Sequence, residues 1–135
     1  MMDSLKTGLE TTARITIDTD RTIGFMGEDL RVYATPSMVL DIERTCKDLL
    51  QQHIDDSENS VGARVEIDHL GATLAGMWVD VYATIVEIDR RRVTFEVEVH
   101  DEAGDHVGKC RHTRFVVDLA KQKERLDAKR ARLAD

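Results

Sequence analysis

A single amphipathic helix followed by a long region of strand-like sequence is the feature that most constrains the fold of this chain. Apolar residues recur at three- and four-residue spacings from Met38 to Ile54, which predicts a helix from Ser37 to near His53. The only proline, Pro36, suits the first helical position, and Thr35 is then the expected N-cap. Because the helix must bury its apolar stripe, it needs a large apolar partner surface.

After the helix the apolar residues alternate with a period of two, which predicts strands. Four such segments are joined by short turns, at 61–70, 77–89, 93–101 and 106–119. A first strand is expected at 10–18, followed by a loop at 20–29, and residues 55–60 form a polar loop between the helix and the next strand. Short connections favour antiparallel neighbours. We therefore expect an α+β fold in which an antiparallel sheet wraps around one long central helix.

Length and composition indicate one soluble domain over residues 1–135, with a charged, helix-prone tail at 120–135. The net charge of −7 argues against a general nucleic-acid binder, which would need a basic face for phosphates. No apolar run approaches the roughly 20 residues that cross a bilayer. The N-terminal segment also lacks the apolar region of a secretion signal. These features predict a cytoplasmic protein that interacts with neither nucleic acid nor membrane.

The cysteines and most of the histidines give no sign of a metal or redox site. Cys46 and Cys110 are far apart and outside any CxxC pattern, so we expect two reduced thiols, with Cys46 as a small core residue. The close Cys/His spacings of a zinc site are absent, and no metal is expected. Four of the five histidines belong to no recognisable constellation and are assigned no role: His53, His100, His106 and His112.

Glu43 lies at the edge of the apolar stripe of the helix, four residues after Val39 and three before Cys46. The other two acids of the helix, Asp41 and Asp48, are expected on its solvated side. The helix pattern alone favours a boundary glutamate or a structural ion pair. An acid at this position is also suitably placed to act as a base or nucleophile.

His69 is expected on the inner face of its strand, because it alternates in phase with Val65 and Ile67. A histidine titrates near neutral pH and suits general acid–base catalysis. The alternative is an ordinary surface histidine. Arg114 has two interpretations as well: a solvated strand arginine, or a partner for a carboxylate or a CoA phosphate. Gly62 either serves a turn or allows the backbone to approach a ligand closely.

The stretches "VYATPSMVLDIERTC" (32–46) and "VGARVEIDHLGATLAG" (61–76) resemble the fluoroacetyl-CoA thioesterase family, which has the hotdog fold. That family has a Thr just before the helix, a Glu eight residues later and a His before an AT-x-x-G turn, and these motifs match Thr35, Glu43 and His69. The resemblance implies an acyl-CoA thioesterase with these three catalytic residues, with Gly62 and Arg114 binding substrate. It also implies a homodimer with the active site between subunits and no cofactor beyond the CoA of the substrate.

The segment before the helix departs from the family pattern. Residues 24–31 form a shorter segment than the aromatic lid of the family enzyme, and Phe25 is their only aromatic residue. The resemblance therefore supports a small acyl-CoA substrate but not fluoroacetyl-CoA itself. Two other functions stay open: a non-catalytic hotdog domain that binds an acyl-CoA or similar ligand, and an enoyl-CoA hydratase. The second lacks the expected Asp-x-x-x-x-His spacing.

Overall fold

The computed structural model describes residues 1–133 and consists of strands arranged around one long helix. The elements in chain order are β1 Glu10–Thr16, β2 Thr22–Ile23, β3 Val32–Tyr33, α1 Thr35–Gln51, β4 Glu58–His69, β5 Trp78–Asp89, β6 Arg92–Asp101, β7 His106–Asp118 and α2 Leu119–Ala131. The predicted helical tail is confirmed over α2, and its last two residues, 134 and 135, lie outside the described part. No helix within residues 1–133 is long and apolar enough to span a membrane.

The main sheet has five strands in the order β1-β5-β6-β7-β4, and all of its neighbours are antiparallel. The short turns predicted the β5-β6 and β6-β7 pairs. The same expectation is wrong for β4, which pairs with β7 and not with β5, the strand that follows it in the chain. The short strands β2 and β3 form a separate pair. β1 and β4 are the edge strands of the main sheet. The prediction of a loop over 55–60 is wrong at its end, because β4 begins at Glu58, which pairs with Asp118. The polar sequence of these residues gave no indication of a strand. Glu58 is nevertheless buried, and it forms an ion pair with Arg91.

The core lies between α1 and the inner face of the sheet. The predicted alternation along β6 is confirmed, and its inward residues are at most 1% exposed: Val93, Phe95, Val97 and Val99. They belong to the same core as Met38, Ile42 and Cys46 of the helix. Fully burying such an aliphatic or aromatic side chain contributes about 1.5–3 kcal/mol. This packing fixes the position of α1 against the inner face of the sheet.

Both cysteines are free and buried, as expected for reduced thiols. Burial raises the pKa of the Cys46 thiol well above its usual range, and it raises the pKa of Cys110 to about 11. A protonated thiol is a poor nucleophile. The structure thus supports Cys46 as a core residue.

The start of α1 differs from the prediction. The N-cap is Ala34, Thr35 is the first helical residue, and no side chain caps the helix. The assignment of Thr35 as N-cap is wrong, because its hydroxyl is hydrogen-bonded to the distant His69 instead. The backbone N–H groups of the first turn therefore lack a side-chain acceptor.

Candidate active site

Thr35 and His69 form the first part of the site, which we call the Thr35 pair. Thr35 lies at the start of α1 and His69 at the end of β4, and their Oγ1 and Nδ1 atoms are 2.7 Å apart. The ring of Tyr33 approaches the imidazole edge-on, with centroids 6.3 Å apart. Burial lowers the pKa of His69, so the imidazole is neutral at neutral pH and can both donate and accept a proton.

The second part of the site, the Glu43 cluster, consists of Glu43, Gly62, His112 and Arg114. The Glu43 side chain is 36% exposed, and its Oε2 lies 3.5 Å from Nη1 of Arg114. Arg114 is only 4% exposed, so the interpretation of a solvated arginine is wrong. Its guanidinium donates to Ser60 Oγ at 2.9 Å and to the Ser60 carbonyl at 3.1 Å. Arg114 is therefore a fixed buried cation that faces one oxygen of Glu43.

His112 holds the other side of the guanidinium and is completely buried. Its Nδ1 lies 2.8 Å from the Arg64 carbonyl, and its Nε2 lies 3.1 Å from Arg114 Nη1. A carbonyl only accepts and a guanidinium only donates, so Nδ1 carries the proton and the ring is neutral. Burial lowers the pKa of His112, and the cationic Arg114 lowers it further. Sequence reasoning gave His112 no role, although its in-phase alternation with Cys110 and Arg114 marked it as inward-facing.

Gly62 leaves the space that the Glu43 carboxylate occupies. A Cβ atom at this position would lie 2.9 Å from Glu43 Oε2, 3.3 Å from Arg114 Nη1 and 3.3 Å from His112 Cε1. Gly62 lies within β4, so its interpretation as a turn residue is wrong. A side chain at this position would therefore displace the Glu43 carboxylate, which the glycine allows to lie close to the backbone.

Asp41 is not a solvated helix residue, and this prediction is wrong. It is 2% exposed. It accepts from Arg21 Nε at 3.0 and 3.3 Å and from the Tyr33 hydroxyl at 2.6 Å. Arg21 and Tyr33 belong to the segment before α1, which folds over the side of the helix that the wheel predicts to be exposed. Asp41 thus ties that segment to the helix.

Within one chain the Thr35 pair and the Glu43 cluster are far apart. Thr35 and Glu43 are eight residues apart on α1, which separates them by about 12 Å along the helix axis. His69 and Gly62 are seven residues apart on β4, a separation of about 23 Å in an extended strand. The structure therefore brings Thr35 to His69 and Glu43 to Arg114, but a single chain does not join the two parts.

Comparison with known proteins identifies the family. The model of the family described as "FlK: Fluoroacetyl-CoA-specific thioesterase" matches residues 17–120. The chain belongs to this family. A curated family relative, the fluoroacetyl-CoA thioesterase of Streptantibioticus cattleyicolor, is 32% identical over 90 residues. That match covers 67% of this chain and 64% of the relative, so the matched part spans slightly less than two thirds of the relative's length.

Two solved structures show the same architecture as this family member. A hypothetical protein of Thermus thermophilus, described as a thioesterase superfamily member, superposes with a TM-score of 0.88 at 28% identity, covering 98% of each chain. A hot-dog-like protein of Thermanaerovibrio acidaminovorans superposes with a TM-score of 0.83 at 18% identity, covering 91% of each chain. Both likenesses confirm the hotdog fold, and the family model and the Thermus thermophilus structure confirm the thioesterase resemblance inferred from the sequence.

Proposed function

We propose that this chain is an acyl-CoA thioesterase that hydrolyses a small acyl-CoA ester through Thr35, Glu43 and His69. The observation that supports it most is the state of Glu43. One of its oxygens faces the buried Arg114 at 3.5 Å, and the side chain keeps 36% of its surface exposed. A carboxylate that is oriented on one side and open on the other can act on a substrate or a water molecule.

The proposed reaction breaks the thioester C–S bond and forms a C–O bond to water. Glu43 either attacks the carbonyl carbon itself, giving a mixed anhydride that water then cleaves, or removes a proton from a water molecule that attacks. In both cases the products are a carboxylic acid and CoA thiol. His69 orients the water and acts as a proton relay: its neutral imidazole passes a proton to the departing thiolate and regains one from the water that is consumed. Thr35 holds the imidazole through its hydroxyl.

The developing negative charge on the carbonyl oxygen needs hydrogen-bond donors. The start of α1 offers them, because no side chain caps its first-turn N–H groups. These groups also lie at the positive end of the helix dipole. They are adjacent to the Thr35 pair, so the same region would bind the oxyanion and protonate the leaving group.

A second copy of this chain would join the Thr35 pair to the Glu43 cluster. β4 is an edge strand of the main sheet, with one side available for pairing. If two β4 strands pair antiparallel about a twofold axis midway between residues 62 and 69, Gly62 of one copy lies opposite His69 of the other. Glu43 of the first copy then faces Thr35 and His69 of the second. We propose this homodimer, with two equivalent sites.

Gly62 and Arg114 have supporting roles in this proposal. Arg114 is 4% exposed and is hydrogen-bonded to Ser60 and His112, which favours a role in orienting Glu43 over direct contact with a CoA phosphate. Gly62 leaves room for the carboxylate and for the thioester beside it. Both residues would thus act on the thioester group of the substrate indirectly, by positioning Glu43 beside it.

The acyl group is expected to be small but not restricted to fluoroacetyl. The segment 24–31 is short, and the side chain of its only aromatic residue, Phe25, is 89% exposed. Phe25 therefore buries almost none of its surface against its own chain. We propose a pocket that accepts several short acyl-CoA esters.

A panel of short-chain acyl-CoA and enoyl-CoA esters tests the function. Thiol release, measured with a thiol reagent, is expected for one or more short acyl-CoA esters. Binding of acyl-CoA without thiol release would show a non-catalytic binding domain, and loss of enoyl absorbance without thiol release would show a hydratase. A single turnover in ¹⁸O-labelled water then separates the two roles of Glu43: label in the peptide that contains Glu43 identifies the nucleophile.

A further inference from the structure

Two histidines and a glutamate lie together on the outer face of the sheet, on the side away from α1. Glu98 and His100 are two residues apart on β6 and therefore share a face. His106, on β7, is the cross-strand partner of His100. The two imidazole rings are stacked, with centroids 4.8 Å apart and planes 18° from parallel. The Glu98 carboxylate contacts Nε2 of His106.

The three side chains provide the donor atoms of a transition-metal site. One donor atom from each residue lies within 4.8 Å of the other two. Zinc binds imidazole nitrogen and carboxylate oxygen at about 2.0–2.2 Å, so the ligand atoms of a tetrahedral ion are about 3.4 Å apart. The side chains of Glu98 and His106 are 48% and 38% exposed, so rotation about their side-chain bonds can close the difference.

We propose that Glu98, His100 and His106 bind one divalent transition-metal ion, with Zn²⁺ as the best match and water at the fourth position. Two imidazoles and a carboxylate suit Zn²⁺, Ni²⁺ and Cu²⁺. Mg²⁺ and Ca²⁺ prefer oxygen ligands. The site is distinct from the candidate active site, because the neighbouring Val97 and Val99 are buried on the opposite face of the same strand. The spacing of these residues in the sequence does not predict the site, because a register shift between β6 and β7 is what aligns His100 with His106.

Calorimetric titration of the full chain without a polyhistidine tag tests the proposal. Zn²⁺ is expected to bind at one ion per chain, and Mg²⁺ is expected to give no binding. His106→Ala and the isosteric Glu98→Gln should each weaken Zn²⁺ binding about tenfold or more, since each removes one of three ligands. His53→Ala is the matched control, because it removes a half-buried histidine that is bonded to Ser4, outside the cluster.

Fluorescence of Trp78 gives a second readout. Trp78 is the only tryptophan of the chain and lines the same surface depression as Glu98 and His100. Cu²⁺ bound at the cluster should quench its emission in the wild type but not in the folded double variant His100→Ala/His106→Ala, whose circular dichroism is checked first. The proposal is overturned if the wild type binds no Zn²⁺, if the double variant keeps wild-type affinity, or if His69→Ala abolishes binding instead.

Discussion

Asp41 and Glu43 are two carboxylates on one helix, two residues apart, and the fold surrounds them in opposite ways. Asp41 is 2% exposed, and its carboxylate accepts hydrogen bonds from Arg21 and from the Tyr33 hydroxyl. The Glu43 side chain is 36% exposed, and its ion pair within residues 1–133 is with Arg114 at 3.5 Å. Each carboxylate faces an arginine, yet only Glu43 keeps an oxygen open.

The partners explain the difference. Arg21 donates its Nε–H to Asp41, and this ion pair joins the segment before α1 to the helix. The Arg114 guanidinium donates hydrogen bonds to Ser60 and His112. Its Nη1 atom also faces Glu43, at the longer distance of 3.5 Å. A buried cation that is already satisfied can orient a carboxylate without saturating it. A nearby arginine alone therefore does not distinguish a carboxylate that is closed off by hydrogen bonds from one that stays accessible.

The largest expected effect is on catalysis at Glu43. Glu43→Gln should lower thiol release by about 10²–10⁴-fold, because an amide cannot act as a base or as a nucleophile here. The variant also removes the carboxylate that faces the buried Arg114, so circular dichroism and the thermal unfolding midpoint are measured alongside turnover to show that it is folded at the assay temperature. Asp48→Asn, at an exposed acid on the same helix, is the control and should leave turnover unchanged. Near wild-type turnover of Glu43→Gln would remove Glu43 from the mechanism.

The second effect is on stability at Asp41. Asp41→Ala should lower the free energy of unfolding by about 2–4 kcal/mol, because it leaves the buried Tyr33 hydroxyl and the Nε–H of Arg21 without their acceptor. Urea denaturation measures the change. Asp48→Ala removes an exposed acid from the same helix and should cost about 0.5 kcal/mol or less. Equal losses for the two variants would show that the Asp41 unit is not structural.

Gly62 tests whether the space beside Glu43 matters. Gly62→Ala places a methyl group 2.9 Å from Glu43 Oε2, so the carboxylate must move. We expect kcat to fall about tenfold, with a stability loss of about 1–3 kcal/mol from overpacking. Ala128→Ser adds one heavy atom at an exposed position of α2, away from β4, and should change neither quantity. Unchanged kcat in Gly62→Ala would mean that the carboxylate position is not critical.

The smallest effect is a pH dependence of stability that arises from His112. Burial lowers the pKa of His112 in the folded state, so the unfolded chain takes up the proton first as the pH falls below about 6.5. This contribution to stability is present above pH 6.5 and is lost as the pH falls through the lowered folded value. Denaturation at pH 7 and pH 5 should show a smaller loss for His112→Gln than for the wild type. Identical losses would show that His112 does not contribute.

Much of the fold could be predicted from local sequence pattern. The period of the helix and the alternation along β6 both depend on near neighbours, so they identified α1 and the buried row from Val93 to Val99. The edge position of Glu43 followed from the same helical wheel. The Thr–Glu–His set needed the family resemblance in addition, because nothing local connects Thr35 to His69.

The errors occurred where a distant segment decides the environment. Asp41 is buried by Arg21 and Tyr33, which come from a region without clear periodicity. The Thr35 hydroxyl binds His69, 34 residues away, rather than its own helix. The pairing of His100 with His106 depends on a register shift that no spacing reveals. Each of these contacts is long-range or depends on strand register, and a single sequence contains no direct signal for either.

Subunit complementation tests most directly whether the Thr35 pair and the Glu43 cluster meet between two copies. Chains with Glu43→Ala and chains with His69→Ala, each inactive alone, are mixed in equal amounts by unfolding and refolding. Half of the dimers are then mixed, and each mixed dimer has one intact site of two, so about a quarter of wild-type thiol release should return. If the mixture stays as inactive as its parents while mass spectrometry shows mixed dimers, the site does not lie between the two copies, and the account is wrong.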